Sequence, residues 1–261
     1  MAMTASDLVT FVNGLEIAEH SPAVRQLIDS GSLTGTPAAA NPEKPSGDVD
    51  KGSLVSFTAG VTTEHRGDAL NSTLLAQLNS DKLYNRFDPT QVIEWYKNYT
   101  SVLSKVGWDM QDFSFQNFEA SGSTFSIDTA IIEIVSSFLA GPEVAVVEAT
   151  LEALSKLKSE DPWYTVWDSN SHKANGGNFQ IVACNDEEGK GGLVMGCSAY
   201  AFTTTETSLR FLWTDYHSSD TKLQYAKQAA TLDEDVYKVV RAAIIAKLGA
   251  NATNLVDELE I

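Results

Sequence analysis

Residues 192–204, GLVMGCSAYAFTT, decide how this chain is read. Alternation puts Leu193, Met195, Cys197, Ala199 and Ala201 on one side of a strand, and Val194, Gly196, Ser198, Tyr200 and Phe202 on the other. NFQIVACND (178–186) has the same character, and the polar DEEGKGG (186–192) between them predicts a hairpin. With 185–191 as its turn, Cys184 falls opposite Gly192 and Cys197 opposite Phe179. The two sulfurs are then too far apart along the hairpin for a disulfide.

Working outward, SLRFLWTDYHSS (208–219) reads as a further strand and TKLQYAKQAATL (221–232) as a strand running out of a turn. Asp233 caps a helix that Gly249 ends, and the acidic tail 250–261 forms a short edge strand. Upstream the pattern is mostly helical. Leu8, Phe11, Val12 and Leu15 share one face, and Ser21-Pro22 opens a second helix. Leu70, Leu74, Leu75 and Leu78 mark a third; Trp95, Tyr96, Tyr99 and Leu103 mark a fourth, capped by Asp88. Residues 126–141 and 141–160 form an αα-hairpin. SLVSFTAGVTT (53–63) and WDMQDFSFQNFEAS (108–121) read as strands. The Gly-, Pro- and Ser-rich 30–52 reads as a flexible loop or linker. The order predicts an α+β fold: an antiparallel sheet, with a strand-rich C-terminal half, packed against several amphipathic helices.

At 261 residues and 43% hydrophobic, the chain is expected to be a single folded domain, 1–261. Its formal charge of −17 argues against nucleic acid as a partner and against simple electrostatic docking on anionic membranes. No segment has the ~18–20 apolar residues of a spanning helix. The N-terminus lacks a basic region, which predicts no signal peptide and a cytoplasmic protein, or one exported without a classical signal. Nothing in the sequence sets the oligomeric state.

No GxGxxG, P-loop, HExxH or paired-cysteine motif is present, so no metal or cofactor is expected. Cys197 reads as a core cysteine, an attachment point, or a nucleophile awaiting a base from elsewhere. The alternative catalytic set is His65, in a strand-to-helix loop, with Asp215 and His217 at a strand end. That set would make a small-molecule hydrolase or isomerase with a pocket at the sheet edge. Trp163, Tyr164 and Trp167 lie beside a glycine-rich loop, as residues contacting a ligand or a peripheral membrane would, or as a cover for the sheet end.

The size, the mixed α/β pattern and the cysteine of LVMGCSAYAF (193–202) resemble the Evf-type bacterial virulence factors. The resemblance implies a toxin-like, lipid-binding lipoprotein with a fatty acyl chain, such as palmitoyl, thioester-linked to a cysteine and held in an apolar cavity. Carried over, that cysteine is Cys197, with room left by Gly196, Ala199 and Ala201. The expected function is therefore a soluble toxin or virulence factor that binds an apolar small molecule or lipid, rather than an enzyme.

Overall fold

The computed structural model describes residues 4–33, 41–187, 192–206, 208 and 210–261. The chain begins with α1 (Ala5–Gly14) and α2 (Pro22–Asp29), then β1 (Ser46–Asp50), β2 (Ser53–Phe57), α3 (Thr63–Leu83) and α4 (Val92–Lys105). Next come β3 (Gln116–Asn117), β4 (Thr124–Phe125), α5 (Ile127–Ser136), α6 (Gly141–Lys156) and α7 (Pro162–Ser171). The last part holds β5 (His172–Lys173), β6 (Gly176–Glu187), β7 (Gly192–Thr204), β8 (Tyr216–His217), β9 (Thr221–Thr231), α8 (Glu234–Leu248), α9 (Asn251–Asn254) and β10 (Val256–Leu259).

The fold is α+β. The main sheet runs β10-β1-β2-β6-β7-β9-β3, with β5 added against β6. Every pairing in it is antiparallel except β2 with β6. Helices cover both faces. On one, the α4 residue Tyr96 donates its hydroxyl to the Phe179 carbonyl at 3.0 Å and accepts from Gln180 Nε2 at 2.8 Å. On the other, α6 brings Thr150 to 2.8 Å from Ser56 across the hydroxyls. That packing leaves no room at Gly47, where a Cβ would stand 2.2 Å from the Thr150 hydroxyl.

The caps follow the sequence at Ser21, whose hydroxyl accepts from the Val24 amide, and at Asp233, whose carboxylate accepts from Asp235 and Val236. Elsewhere the structure corrects the sequence reading. The β6–β7 strands run on through Glu187 and Gly192, so Cys197 pairs with Val182 and Cys184 with Met195. The polar residues 185–187 look like turn and are strand, because each finds a β7 partner. Part of the expected 30–52 linker is β1, whose five residues are all buried between β2 and β10; 34–40 lie outside the described residues. Residues 210–219 fold as a 3₁₀ turn, Phe211–Trp213, and the two-residue β8 rather than a strand, and residue 209 lies outside the described residues. In 108–121 only Gln116–Asn117 is strand, and Phe113 and Phe115 turn back onto Tyr96 instead.

β1 carries two buried carboxyls. Asp50 Oδ2 accepts from Thr73 at 2.6 Å, while burial pushes its pKa up to about 7. Burial, reinforced by Glu258, holds Asp48 well above the usual carboxylate range, and burial raises Asp257 on β10 to about 6. The folded chain thus keeps protons that the unfolded chain releases near pH 4. Stability is expected to fall as pH rises from about 4 to about 7. Urea midpoints across that window check this: they should drop in the wild type and drop less in Asp50→Asn.

Candidate functional site

A groove of about 460 Å³ opens on the α4 face at the end of the sheet where β6 begins and β7 ends. Its apolar walls come from Phe87, Pro89, Val92 and Ile93 on one side and Phe115 on the other, with Ala201, Gly176 and Thr203 in the floor. Ile93 is 43% exposed, unusual for a large apolar side chain in this protein. Arg86, Lys173 and Lys222 supply charge, and among the described residues no Asp or Glu lines the groove.

Each wall has a local cause. The 84–91 segment is tied down by Arg86, which donates Nε–H to Asp81 Oδ1 at 2.8 Å and a second N–H to the Asn170 carbonyl. Its guanidinium lies 4.5 Å over the Trp95 ring, and Trp95 Nε1 donates to the same Asp81 oxygen at 2.7 Å. Lys51 pairs with the other oxygen of Asp81. Burial pushes the Asp81 carboxyl up, but Arg86 and Lys51 overcome it and hold the group below its ordinary value. Burial also lowers Lys51 to about 8. On the far side, β5 turns into β6 through Ala174, at φ 43°.

Cys197 lies on the same strand face as Ala201 but deeper in the sheet. Tyr96 separates the two: its ring packs on Phe113 and Phe115, and its hydroxyl is anchored on β6. Cys197 and Cys184 are free and fully buried. Burial pushes the Cys197 thiol up to about 12, and the nearby Tyr99 hydroxyl offsets only part of this. The geometry leaves this thiol without access in the folded chain.

The other sequence candidates do not gather here. Trp163, Tyr164 and Trp167 belong to α7, capped by Asp161, not to a loop. Tyr164 and Trp167 are buried, so neither meets a ligand or a membrane; only Trp163 is part-exposed. Trp167 packs edge-on to Phe179, and Arg210 sits 4.8 Å over Tyr164. The apolar side of a short helix explains the cluster.

His65 stands at the α3 N-terminus, where Nδ1 is 2.7 Å from Asp186 and Nε2 is 2.7 Å from Glu234. Nδ1 hydrogen-bonds to Asp186 Oδ1, and Nε2 faces the Glu234 carboxylate. The ring ties α3, β6 and α8 together. Asp215 and His217 are exposed, and β8 pairs with β4 near the other end of β7. β7 alone is 13 residues long, roughly 40 Å, so His65 and His217 cannot share a substrate. The set His65, Asp215, His217 and Cys197 is not assembled into a catalytic centre.

Sequence reading missed Lys173, Lys222 and Phe115. Their meeting depends on strand register: Lys173 pairs with Gly176, Gly176 with Thr203, and Thr203 with Lys222.

The chain is similar to a structure described as a delta-endotoxin at 10% identity, with a TM-score of 0.38, over 70% of this chain and 81% of the other. It is similar to the Evf virulence factor at 8% identity and a TM-score of 0.41, over 76% and 82%. It also resembles the activated Cyt2Ba monomer from Bacillus thuringiensis subsp. israelensis at 14% identity and a TM-score of 0.34, over 68% and 94%. No family model and no curated protein matches. Among the described residues no helix is long and apolar enough to cross a membrane.

The burial of both thiols makes a direct prediction. In folded recombinant protein, Ellman's reagent should label neither cysteine on the timescale on which it labels both in urea. Fast native labelling of Cys197 would contradict the packing of α4.

Proposed function

We propose that this chain is a binding protein of toxin or virulence type, not an enzyme, and that an apolar ligand sits in the groove between α4 and the sheet. The groove is the observation that carries the binding half. Its volume suits one small ligand, since such sites span ~300–1,000 Å³. Its walls combine apolar and aromatic side chains with a few charges, the usual make-up of a ligand site. The toxin or virulence half takes its wording from the proteins to which the chain is similar.

Filling the groove tests both halves. Ala201→Trp places a large ring on its floor, where the native side chain is part-exposed and small. Organic extracts of protein purified from its natural source should contain an apolar small molecule by mass spectrometry. The variant should retain none while keeping its melting temperature within a few degrees. Viability of cultured cells exposed to both proteins then reads the toxin half, with the variant expected to be the weaker. Equal retention by the two proteins would sink the groove as the site.

An acyl thioester on Cys197 is the covalent form of the same proposal. Its support is positional: Cys197, Ala199 and Ala201 lie in line on one strand face toward the groove. Because Tyr96 and Tyr99 close over the thiol, the chain would have to be attached before α4 packs down. Intact mass of the natural protein, before and after hydroxylamine, should then show an acyl group that hydroxylamine removes. An unmodified mass leaves the non-covalent form alone.

A further inference from the structure

We infer that the ligand of this groove is an amphipathic anion, a free single-chain molecule whose carboxylate, sulfate or phosphate head is held at the rim by Lys173 and Lys222. The inference rests on the groove being the binding site and adds the chemistry of the head.

Charge distribution is the first observation. The chain carries 35 acidic and 18 basic residues, so acids outnumber bases about two to one on average. A second cleft shows this: Asp128, Glu133, Glu148 and Glu152 all line it. The groove reverses the balance, with three cations and no acid among its lining residues.

The state of those cations is the second. Arg86 is buried and spends its charge on Asp81. Lys173 and Lys222 are exposed, and among the described residues neither forms an ion pair or a side-chain hydrogen bond. Lys173 only leans over the Phe87 ring, 5.7 Å from its centroid, which also keeps its stem against the apolar wall.

Register is the third. The two lysines occupy one rung across β5, β6, β7 and β9, with Gly176 and Thr203 between them. Three strand spacings separate them, roughly 14 Å between Cα positions. Long flexible stems let both ammonium groups reach a head placed over the glycine and threonine. The first turn of α4, whose Gln91 cap gives no side-chain bond, opens on the same space and adds its partial positive charge. Apolar walls take the tail while the rim takes the head.

Charge also favours a free molecule over a bilayer. At −17 overall, the protein is repelled by an anionic membrane, whereas one small anion meets mainly the local field of the groove.

Isothermal titration with decanoate and decyltrimethylammonium below their micellar concentrations, and with decanol below its solubility limit, tests this at low and at molar salt. Decanoate should bind most tightly, and salt should weaken it selectively. Lys173→Gln with Lys222→Gln should weaken decanoate by roughly tenfold and leave decanol unchanged. Both sites are exposed, so folding should be intact, with the melting temperature as the check. Lys222→Glu should shift preference toward decyltrimethylammonium. If decanol binds as well as decanoate, or the double variant changes nothing, the anionic head is refuted while the groove reading stands. If no probe binds, or Ala201→Trp binds all three unchanged, the groove reading itself fails. Binding to phosphatidylglycerol vesicles without binding to monomeric decanoate would make the ligand a lipid surface and overturn the free-anion inference.

Discussion

The pairing of Asp81 with both Lys51 and Arg86 is the constraint on which the rest of the site depends. Taking three charges out of water is costly, and the arrangement survives because Asp81 and Arg86 each have several partners. Asp81 receives Arg86, Lys51 and the Trp95 indole, while Arg86 also reaches the Asn170 carbonyl. In doing so the cluster joins the β1–β2 turn, the end of α3, α4 and α7 at one point. Gln77 completes it: its Oε1 accepts from the Gly52 amide and its Nε2 donates to the Asp50 carbonyl. The wall of the groove is built on this joint, since Phe87 and Pro89 follow Arg86 directly.

The same α4 face serves two opposite ends. Toward the sheet interior, Tyr96 and Tyr99 seal Cys197 from water and from reagents. Toward the sheet end, Ile93 leaves an apolar surface uncovered. One helix thus divides a single strand face into a closed part and an open part, and Tyr96 marks the boundary. A tail entering from the rim would meet this ring before it met the thiol.

Much of the fold was legible because its signals were local. The alternation of 192–204, the caps at Ser21 and Asp233, and the stop at Gly249 depend on neighbours a few residues away. What was illegible depends on packing across the chain. Residues 46–50, Ser-Gly-Asp-Val-Asp, look like loop, yet they form a strand because β2 and β10 pair with both edges, while Asp50 Oδ2 accepts from Thr73 and Gln77. α3 shows no clean apolar stripe because it buries Ser72, Thr73, Gln77 and Ser80 beside its leucines. The α7 aromatics misled for the converse reason: their spacing fits an amphipathic helix as well as an exposed cluster. The Lys173–Lys222 pair was beyond reach of the sequence, because 49 positions separate two residues that share a rung only once three strand registers are set. His65 drew notice from its loop, but its carboxylate partners come from β6 and α8.

The lone parallel pairing, β2 with β6, has a consequence for how the chain reaches this structure. β6, β7 and β9 are close in sequence and pair antiparallel, so they can assemble from local contacts. β2 and β6 are separated by α3 through α7, and β1 needs the sequence-distant β10 to cover its outer edge. Closing such long loops costs entropy before any contact offsets it, which slows folding. A nascent chain on the ribosome therefore holds its two β1 carboxyls beside an open strand edge until β10 emerges. Synthesis, rather than any local propensity, sets the moment at which this half of the sheet can close.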